Sequence, residues 1–286
     1  MEQPELTHTR SISKLYLIGG YLAIWPTAYA LGVFVLSGWT VGHAFPNWES
    51  IVYILLCAHS CYLLDRVKIA DHRQDPADAI ALPERAMLYS RFATPIRVLL
   101  ILELLAGTAV GWLIFPILML IPVVALCVVH LYAGRGATPS SPRLKDLPAV
   151  KAFFIASGHL ALSIAVLWAN QHDLLTDLHL MSALAIIGTW MIVAGDAILC
   201  DIDDHDADMM YSTKSLAVML GSRSAWISAL GFITLGSLLI SLHQSTMIGV
   251  GATLIAATLI TRKNTNHRDF VDARLLPIVL IWMFVL

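Results

Sequence analysis

The segment 201–208 reads Asp-Ile-Asp-Asp-His-Asp-Ala-Asp, which places five carboxylates in eight positions directly after the apolar run 181–200. On a helix, Asp201, Asp204 and Asp208 fall at i, i+3 and i+7 and therefore share one face. Three carboxylates on one face repel one another unless a cation lies between them. Mg²⁺ fits this role, because it accepts one or two protein carboxylates and completes its coordination with water and phosphate oxygens. We therefore expect a catalytic Mg²⁺ site at these three aspartates.

The composition indicates a protein that spans a membrane several times. Of its 286 residues, 58% are hydrophobic and 13% are charged, with a mean hydropathy of +0.74, whereas a soluble domain carries about 25% charged residues. We expect one polytopic domain over 1–286, with the lipid bilayer as its main partner. The net charge of −2 gives no basic surface that would bind nucleic acid.

Apolar segments long enough to cross a bilayer predict an all-α fold of nine transmembrane helices. These segments are 15–38, 48–64, 95–113, 115–133, 150–169, 179–200, 224–242, 245–261 and 274–286. All 18 Lys and Arg residues lie in alternate connections or at the adjoining helix ends. The positive-inside rule then places the N-terminus in the cytoplasm. We expect an integral, multi-pass protein of a bacterial inner membrane, with its active site toward the cytoplasm.

A second acidic connection, 65–95, lies on the same predicted side as 201–208 and begins with Asp65, Asp71 and Asp75. The two acidic connections could face each other across a common mouth. Carboxylates that bind Mg²⁺, with lysines and arginines nearby, are a standard means of holding a diphosphate. An apolar interior behind them suits an isoprenyl diphosphate, because ionising its allylic carbon–oxygen bond requires a metal and a dry cavity.

Two segments resemble a known family. Residues 200–208, followed by 212–221, resemble the second aspartate motif of the UbiA superfamily of intramembrane prenyltransferases, in which a D-x-x-D-x-x-x-D helix precedes a stretch similar to T-L-A-V-x-L-G. Residues 142–151 are similar to the basic segment that leads into the family's fifth helix. The resemblance implies helices around a central cavity, Mg²⁺ as cofactor, an isoprenyl diphosphate donor and a lipophilic acceptor, aromatic or another small hydrophobic molecule.

The first aspartate motif departs from the family pattern, N-D-x-x-D-x-x-x-D. Alignment on Asp65 leaves the other acidic positions unmatched, while a shifted register recovers Asp71 and Asp75 but places Lys68 at the first acid. We predict Asp71 and Asp75 as metal ligands and catalytic residues, with Asp65 as a third candidate ligand. One helix is expected to carry Lys68, Asp71 and Asp75 on one face and to end at Pro76. Lys68 could replace one metal as a fixed cation.

The cations expected to bind the diphosphate lie near the predicted mouth. They are Lys68, Lys151, Lys214, Arg143 and Lys145. The alternative for Arg143, Lys145 and Lys151 is a topological role alone. Two of the polar residues within predicted spans have an expected role: His159 is expected to form an interhelical hydrogen bond, while Asp196 could support the metal site or join two helices.

The sequence favours an Mg²⁺-dependent transfer of a prenyl group to a lipophilic acceptor. Within the same fold, intramolecular capture of the cation would instead make the protein a terpene cyclase. A non-catalytic lipid-binding or transport protein is the third possibility. Ionisable residues of transporters usually lie mid-helix near the bilayer centre, whereas these acids cluster at predicted helix ends, which favours an enzyme.

Overall fold

The computed structural model describes residues 14–41, 46–68, 82–133, 143–171, 180–210, 212–261 and 267–285, and none of these residues is in a β-strand. The described α-helices are α1 (Lys14–Tyr21), α2 (Ile24–Thr40), α3 (Trp48–Val67), α4 (Pro83–Arg91), α5 (Ala93–Ile114), α6 (Ile121–Ala133), α7 (Val150–Asn170), α8 (Leu180–Asp203), α9 (His205–Met210), α10 (Leu216–Leu220), α11 (Ser222–His243), α12 (Met247–Thr261) and α13 (His267–Val285). Short 3₁₀ helices occupy Pro116–Leu120 and Leu144–Asp146.

Six helical segments in the described part of the chain are long and apolar enough to cross a membrane. They are α3, α5, Pro116–Ala133, α7, α8 and α11, and they correspond to six of the nine predicted spans. Helix α12 has only 15 residues, and the first half of α13 carries Arg268, Asp272 and Arg274. The all-helical, membrane-spanning class is therefore confirmed, while nine crossings and a cytoplasmic N-terminus stay predictions.

The first predicted span, 15–38, is divided into α1 and α2. Ala23 lies between them in the left-handed conformation, with φ 62°. Pro26 has no backbone N–H, so the Leu22 carbonyl has no helical partner four residues later. That carbonyl instead accepts a hydrogen bond from His59 Nε2 of α3 at 2.9 Å. The break is thus stabilised from outside the helix.

The carbonyl groups at the end of α1 also use side chains from other helices. The Arg66 guanidinium of α3 donates to the carbonyls of Gly20 and Tyr21. The Tyr89 hydroxyl of α4 donates to the Tyr21 carbonyl at 2.7 Å. Because these bonds satisfy groups that an unbroken helix would pair internally, they fix the end of α1 against α3 near the acid Asp65.

Helix α8 is held most extensively by α11, through small residues on both helices. A Cβ added to Gly188 would lie 2.7 Å from the Gly236 carbonyl oxygen, and one added to Gly195 would lie 2.8 Å from the Ala229 carbonyl oxygen. Small residues allow helix backbones to approach closely within a membrane. This packing fixes α8, whose C-terminal end carries the acidic segment.

The segment 201–208 is not one continuous helix, because α8 ends at Asp203 and α9 begins at His205 with a turn at Asp204. The Asp208 N–H nevertheless donates to the Asp204 carbonyl at 2.7 Å. The turn therefore keeps a helical i to i+4 bond across the interruption, so the three aspartates predicted to share a face still point to one side.

Candidate active site

The carboxylates of Asp201, Asp204 and Asp208 converge. One oxygen from each lies within 4.8 Å of the others. Asp201 is buried, and its Oδ2 has no hydrogen-bond partner in the described part of the chain. Oxygen donors of this kind suit Mg²⁺ or another hard divalent cation, and the unpartnered buried oxygen is available to such an ion. The residues present therefore fit the metal that the sequence predicts.

Lys151, in the first turn of α7, places its ammonium group among these three acids. Its Nζ lies 3.0 Å from Asp201 Oδ1, 2.8 Å from Asp204 Oδ2 and 2.9 Å from Asp208 Oδ2. Because α7 and α8 pack side by side, a cation that is distant in sequence reaches all three carboxylates. We call Asp201, Asp204, Asp208 and Lys151 the acidic mouth.

Helix α13 adds a second cation to the acidic mouth. The Arg268 guanidinium pairs with Asp204, and the Arg268 backbone N–H donates to Asp203 Oδ2 at 2.7 Å. Burial by itself raises the pKa of Asp204, but the charges of Arg268 and Lys151 outweigh it and hold the pKa well below its usual range. Asp204 is therefore ionised at neutral pH and can bind a cation.

The first acidic region is organised differently. Asp65, near the end of α3, lines the same cavity as the acidic mouth, and the Lys68 ammonium lies 2.6 Å from its Oδ1. Helix α3 ends at Val67, and Lys68 has φ 50°, outside helical geometry. The prediction that a helix carries Lys68 together with Asp71 and Asp75 is therefore wrong for Lys68. Asp71 and Asp75 lie outside the described residues and stay predicted ligands.

The cations predicted to bind a diphosphate divide into two groups. Lys145 and Lys151 line the cavity. Arg143 is buried and holds Asp146 and Thr213, with its Nη2 2.8 Å from Asp146 Oδ1. Lys214 has an exposed side chain, while its backbone carbonyl accepts from the Ala149 N–H at 3.0 Å. Neither Arg143 nor Lys214 is among the residues lining the cavity.

The cavity has a volume of about 180 Å³ and extends inward from the acidic mouth between α2, α3, α7, α8 and α13. Lys151, Ile155 and His159 of α7 line it at i, i+4 and i+8, so His159 lies about 12 Å further along the helix axis than Lys151. We call four of its polar lining residues, which lie around His159, the inner cluster: Tyr29, Tyr62, His159 and Asp196.

Hydrogen bonds join the inner cluster across helices. The Tyr62 hydroxyl and His159 Nε2 are 2.8 Å apart, which confirms the predicted interhelical role of His159. The Tyr29 hydroxyl donates to Asp196 Oδ2 at 2.9 Å, and the Arg274 guanidinium pairs with the other oxygen of Asp196. Asp196 is thus an interhelical contact, the second of the two alternatives. The rings of Tyr29 and His159 meet edge to face at 5.6 Å.

Sequence reasoning assigned no site role to several residues that line the cavity, among them Arg268, Asp272, Tyr29 and Tyr62. Arg268 and Asp272 lie four residues apart, and hence on one face of α13, which was the available signal. Nothing local links them to Asp204, which is 64 residues before Arg268. The tyrosines lie within apolar stretches, where an aromatic residue normally indicates packing.

Comparison with solved structures identifies the fold. The chain is similar to a UbiA homolog from Archaeoglobus fulgidus, a structure bound to DMAPP and Mg²⁺. The two share 14% sequence identity with a TM-score of 0.58, over 95% of this chain and 99% of the homolog. The UbiA-like fold implied by the sequence resemblance is confirmed. No family model and no curated protein sequence matches the chain.

Proposed function

We propose that this chain is a UbiA-superfamily intramembrane prenyltransferase, which transfers the prenyl group of an isoprenyl diphosphate to a lipophilic acceptor with Mg²⁺ as cofactor. The observation that carries the proposal is the convergence of Asp201, Asp204 and Asp208 at the entrance of a cavity that runs between apolar helices. The fold agrees, since the similar archaeal homolog binds DMAPP, an isoprenyl diphosphate, and Mg²⁺.

The acids and cations of the cavity have separate roles in this proposal. Asp201, Asp204 and Asp208 would hold Mg²⁺, and the further predicted ligands are Asp65, which lines the same cavity, Asp71 and Asp75. When bound, the metal neutralises the charge that develops on the departing diphosphate. Of the five cationic residues that line the cavity in the described part of the chain, Lys145, Lys151 and Arg268 donate charge-assisted hydrogen bonds to the diphosphate oxygens.

The reaction begins when the bond between prenyl C1 and the diphosphate oxygen breaks and its electron pair leaves with the diphosphate. A nucleophilic carbon or oxygen of the acceptor then forms a bond with C1 and loses one proton. Apolar side chains that line the cavity, such as Ile155 and Val193, exclude water that would otherwise capture the cation. The ring of Tyr29 can stabilise positive charge through its π face.

The decisive experiment measures diphosphate release by the purified protein with geranyl, farnesyl or geranylgeranyl diphosphate and Mg²⁺, with and without candidate acceptors. Asp204→Asn should lower the release rate about 100-fold, because it removes one anionic group from a preorganised electrostatic site. Asp206→Asn is the matched control, since the Asp206 side chain is 96% exposed in the same segment and should retain wild-type release.

The outcomes separate three functions. Release coupled to acceptor alkylation supports the transferase. Rapid release with a cyclic hydrocarbon product and no acceptor would identify a terpene cyclase in the same fold. Absence of release with every donor, or release that Asp204→Asn leaves unchanged, contradicts an enzymatic role and favours a lipid-binding or transport protein.

A further inference from the structure

The inner cluster contains an imidazole that the metal and diphosphate chemistry does not use. His159 lines the cavity and its Nε2 is hydrogen-bonded to the Tyr62 hydroxyl at 2.8 Å. The other ring nitrogen, Nδ1, has no hydrogen-bond partner among the described residues. The ring is also fixed by its edge-to-face contact with Tyr29. One nitrogen is therefore held by the protein while the other remains available to a molecule in the cavity.

Capture of a prenyl cation requires a base as well as a metal. Alkylation of an acceptor ends with loss of a proton from that acceptor, and cyclisation ends with loss of a proton from a carbon next to the cation. The acids of the mouth serve the metal in this proposal, and His159 lines the cavity about 12 Å of axial rise beyond Lys151. The inner part of the cavity can therefore supply a base that is separate from the metal-binding acids.

Three other members of the inner cluster are poorer candidates than His159. The hydroxyls of Tyr29 and Tyr62 are protonated at neutral pH, since a phenol has an ordinary pKa of about 10. The carboxylate of Asp196 already accepts a bond from Tyr29 and an ion pair from Arg274. A neutral imidazole is the common general base of enzymes. Of the inner-cluster groups, it alone offers a free acceptor nitrogen.

We propose that His159, oriented by Tyr62, is the catalytic base that takes the proton released when the prenyl cation is captured, an assignment that rests on the proposed prenyl-transfer function. In this assignment His159 is the Nε2–H tautomer, which donates to the Tyr62 hydroxyl oxygen and keeps the lone pair of Nδ1 as the proton acceptor. The proton passes from the alkylated acceptor, or from the cyclised cation, to Nδ1. The resulting imidazolium returns the proton to water when the product leaves.

The spacing along α7 fits this assignment. In this proposal the diphosphate lies at the level of Lys151, and prenyl C1, which is bonded to it, lies slightly deeper in the cavity. The remaining depth to His159, out of a rise of about 12 Å, is close to the width of one small ring. An acceptor ring in that space touches the reacting carbon on one side and the imidazole on the other. The position of His159 therefore separates the place where the donor ionises, at the acidic mouth, from the place where the proton is removed, at the inner cluster.

The test compares two measured quantities in one assay: diphosphate release, and the share of the prenyl group found in captured product instead of in the water adduct, a prenol. His159→Gln should leave release within about threefold of wild type while lowering the captured share about tenfold or more, as expected when a general base is lost. His243→Gln is the matched control, because His243 is another part-buried histidine, at the end of α11, and does not line the cavity. Its captured share should not change.

A second variant separates proton removal from packing. His159→Ala should behave as His159→Gln does, and added imidazole should restore part of the captured product by entering the space left by the side chain. Unchanged captured share in His159→Gln would overturn the assignment. Release and capture that fall together without imidazole rescue would also overturn it, since they indicate a structural role. If wild type itself releases no diphosphate, the proposed function fails first, and this inference fails with it.

Discussion

The acids of this protein are neutralised in two different ways. Asp65 and Asp146 each meet a cation three residues away in the chain: Lys68 lies 2.6 Å from Asp65, and Arg143 lies 2.8 Å from Asp146. We call these two acids the locally paired acids. The acidic mouth instead receives Lys151, which precedes Asp204 by 53 residues. One kind of pairing is contained in a single turn, and the other exists only when two helices pack.

The difference has a functional consequence. A locally paired acid has its charge balanced by its own neighbour, whereas the mouth gathers three carboxylates around one ammonium and leaves Asp201 Oδ2 without a partner in the described part of the chain. Converged carboxylates with an unpartnered oxygen bind a divalent cation better than a single carboxylate with its own counter-charge. We therefore expect the acids of the mouth to dominate catalysis, and four predictions test that contrast.

The largest effect is expected from matched substitutions at the ends of α8 and α3. Asp201→Asn should lower kcat/KM for Mg²⁺-dependent diphosphate release about 100-fold, because it removes a ligand from the converged set. Asp65→Asn should cost less than about tenfold, because its charge is already offset by Lys68 in a partly exposed pair. Steady-state kinetics of the two variants check this order. Equal losses would remove the distinction between the regions.

Next in size is the substitution Lys151→Met, which keeps the side-chain length but removes the charge shared by three acids. The rate of diphosphate release should fall about tenfold, because one partner of a tightly coupled charge group is lost. The Mg²⁺ concentration that gives half-maximal activity should also fall, because the ammonium no longer competes for the carboxylates. A Mg²⁺ titration measures both. Arg223→Met removes an exposed cation from α11 and should change neither quantity.

A smaller effect is expected when the locally paired Asp65 loses its cation. Lys68→Ala should lower diphosphate release about fivefold, which corresponds to the roughly 1 kcal/mol that a partly exposed ion pair contributes. The fixed-cation hypothesis for Lys68 predicts that this loss appears mainly in KM for the donor. Activity that remains at the wild-type level would count against that hypothesis. Lys68 would then have only a structural role, as the residue that follows the last turn of α3.

The smallest effect on diphosphate release is expected at Asp146, whose role is structural. Burial tends to raise the pKa of Asp146, but hydrogen bonds from Arg143 and Thr213 outweigh it and hold the pKa below its usual value. A lowered pKa stabilises the fold at pH values above the unfolded pKa of about 3.9, and this contribution is lost as the pH falls further. Asp146→Asn should therefore lower the stability at pH 7 by about 3 kcal/mol, seen as a lower thermal midpoint, because it leaves the buried Arg143 guanidinium without its anionic partner.

The pH dependence provides the check on Asp146. The difference in midpoint between wild type and Asp146→Asn in detergent should shrink as the pH approaches 4 and below. Diphosphate release at pH 7 should be unchanged, because Asp146 does not line the cavity. A large loss of activity without a change in midpoint would place Asp146 with the acids of the mouth.

Local patterns predicted much of the helical framework. The apolar segments 95–113 and 150–169 correspond to α5 and α7 within three residues at each end, because hydropathy and length are properties of the segment itself. The break at Ala23 was missed, although Pro26 was its signal. Pro26 is the third residue of α2, a position near a helix start where proline is tolerated. Here the break depends on His59, a residue of another helix that caps the freed carbonyl.

The site was predicted only where it depends on residues close together in the sequence. Asp201, Asp204 and Asp208 follow from helical spacing, and that spacing survives the interruption at Asp204 because the backbone bond to Asp208 persists. The predicted cations were divided by the fold: Lys145 reaches the cavity, while Arg143 is used by Asp146. Such a division depends on where each side chain finds space and a partner, which no local pattern specifies.

The sequence by itself determined the membrane-spanning helical class, the face shared by the three aspartates and the resemblance that named the fold, because these depend on residues within a few turns of one another. The tertiary structure decided that Lys151 stands among the acids of the mouth, and that His159 lies behind the mouth with Tyr62. These depend on contacts between helices far apart in the chain, where packing and charge pairing select one arrangement from many that the same local patterns allow.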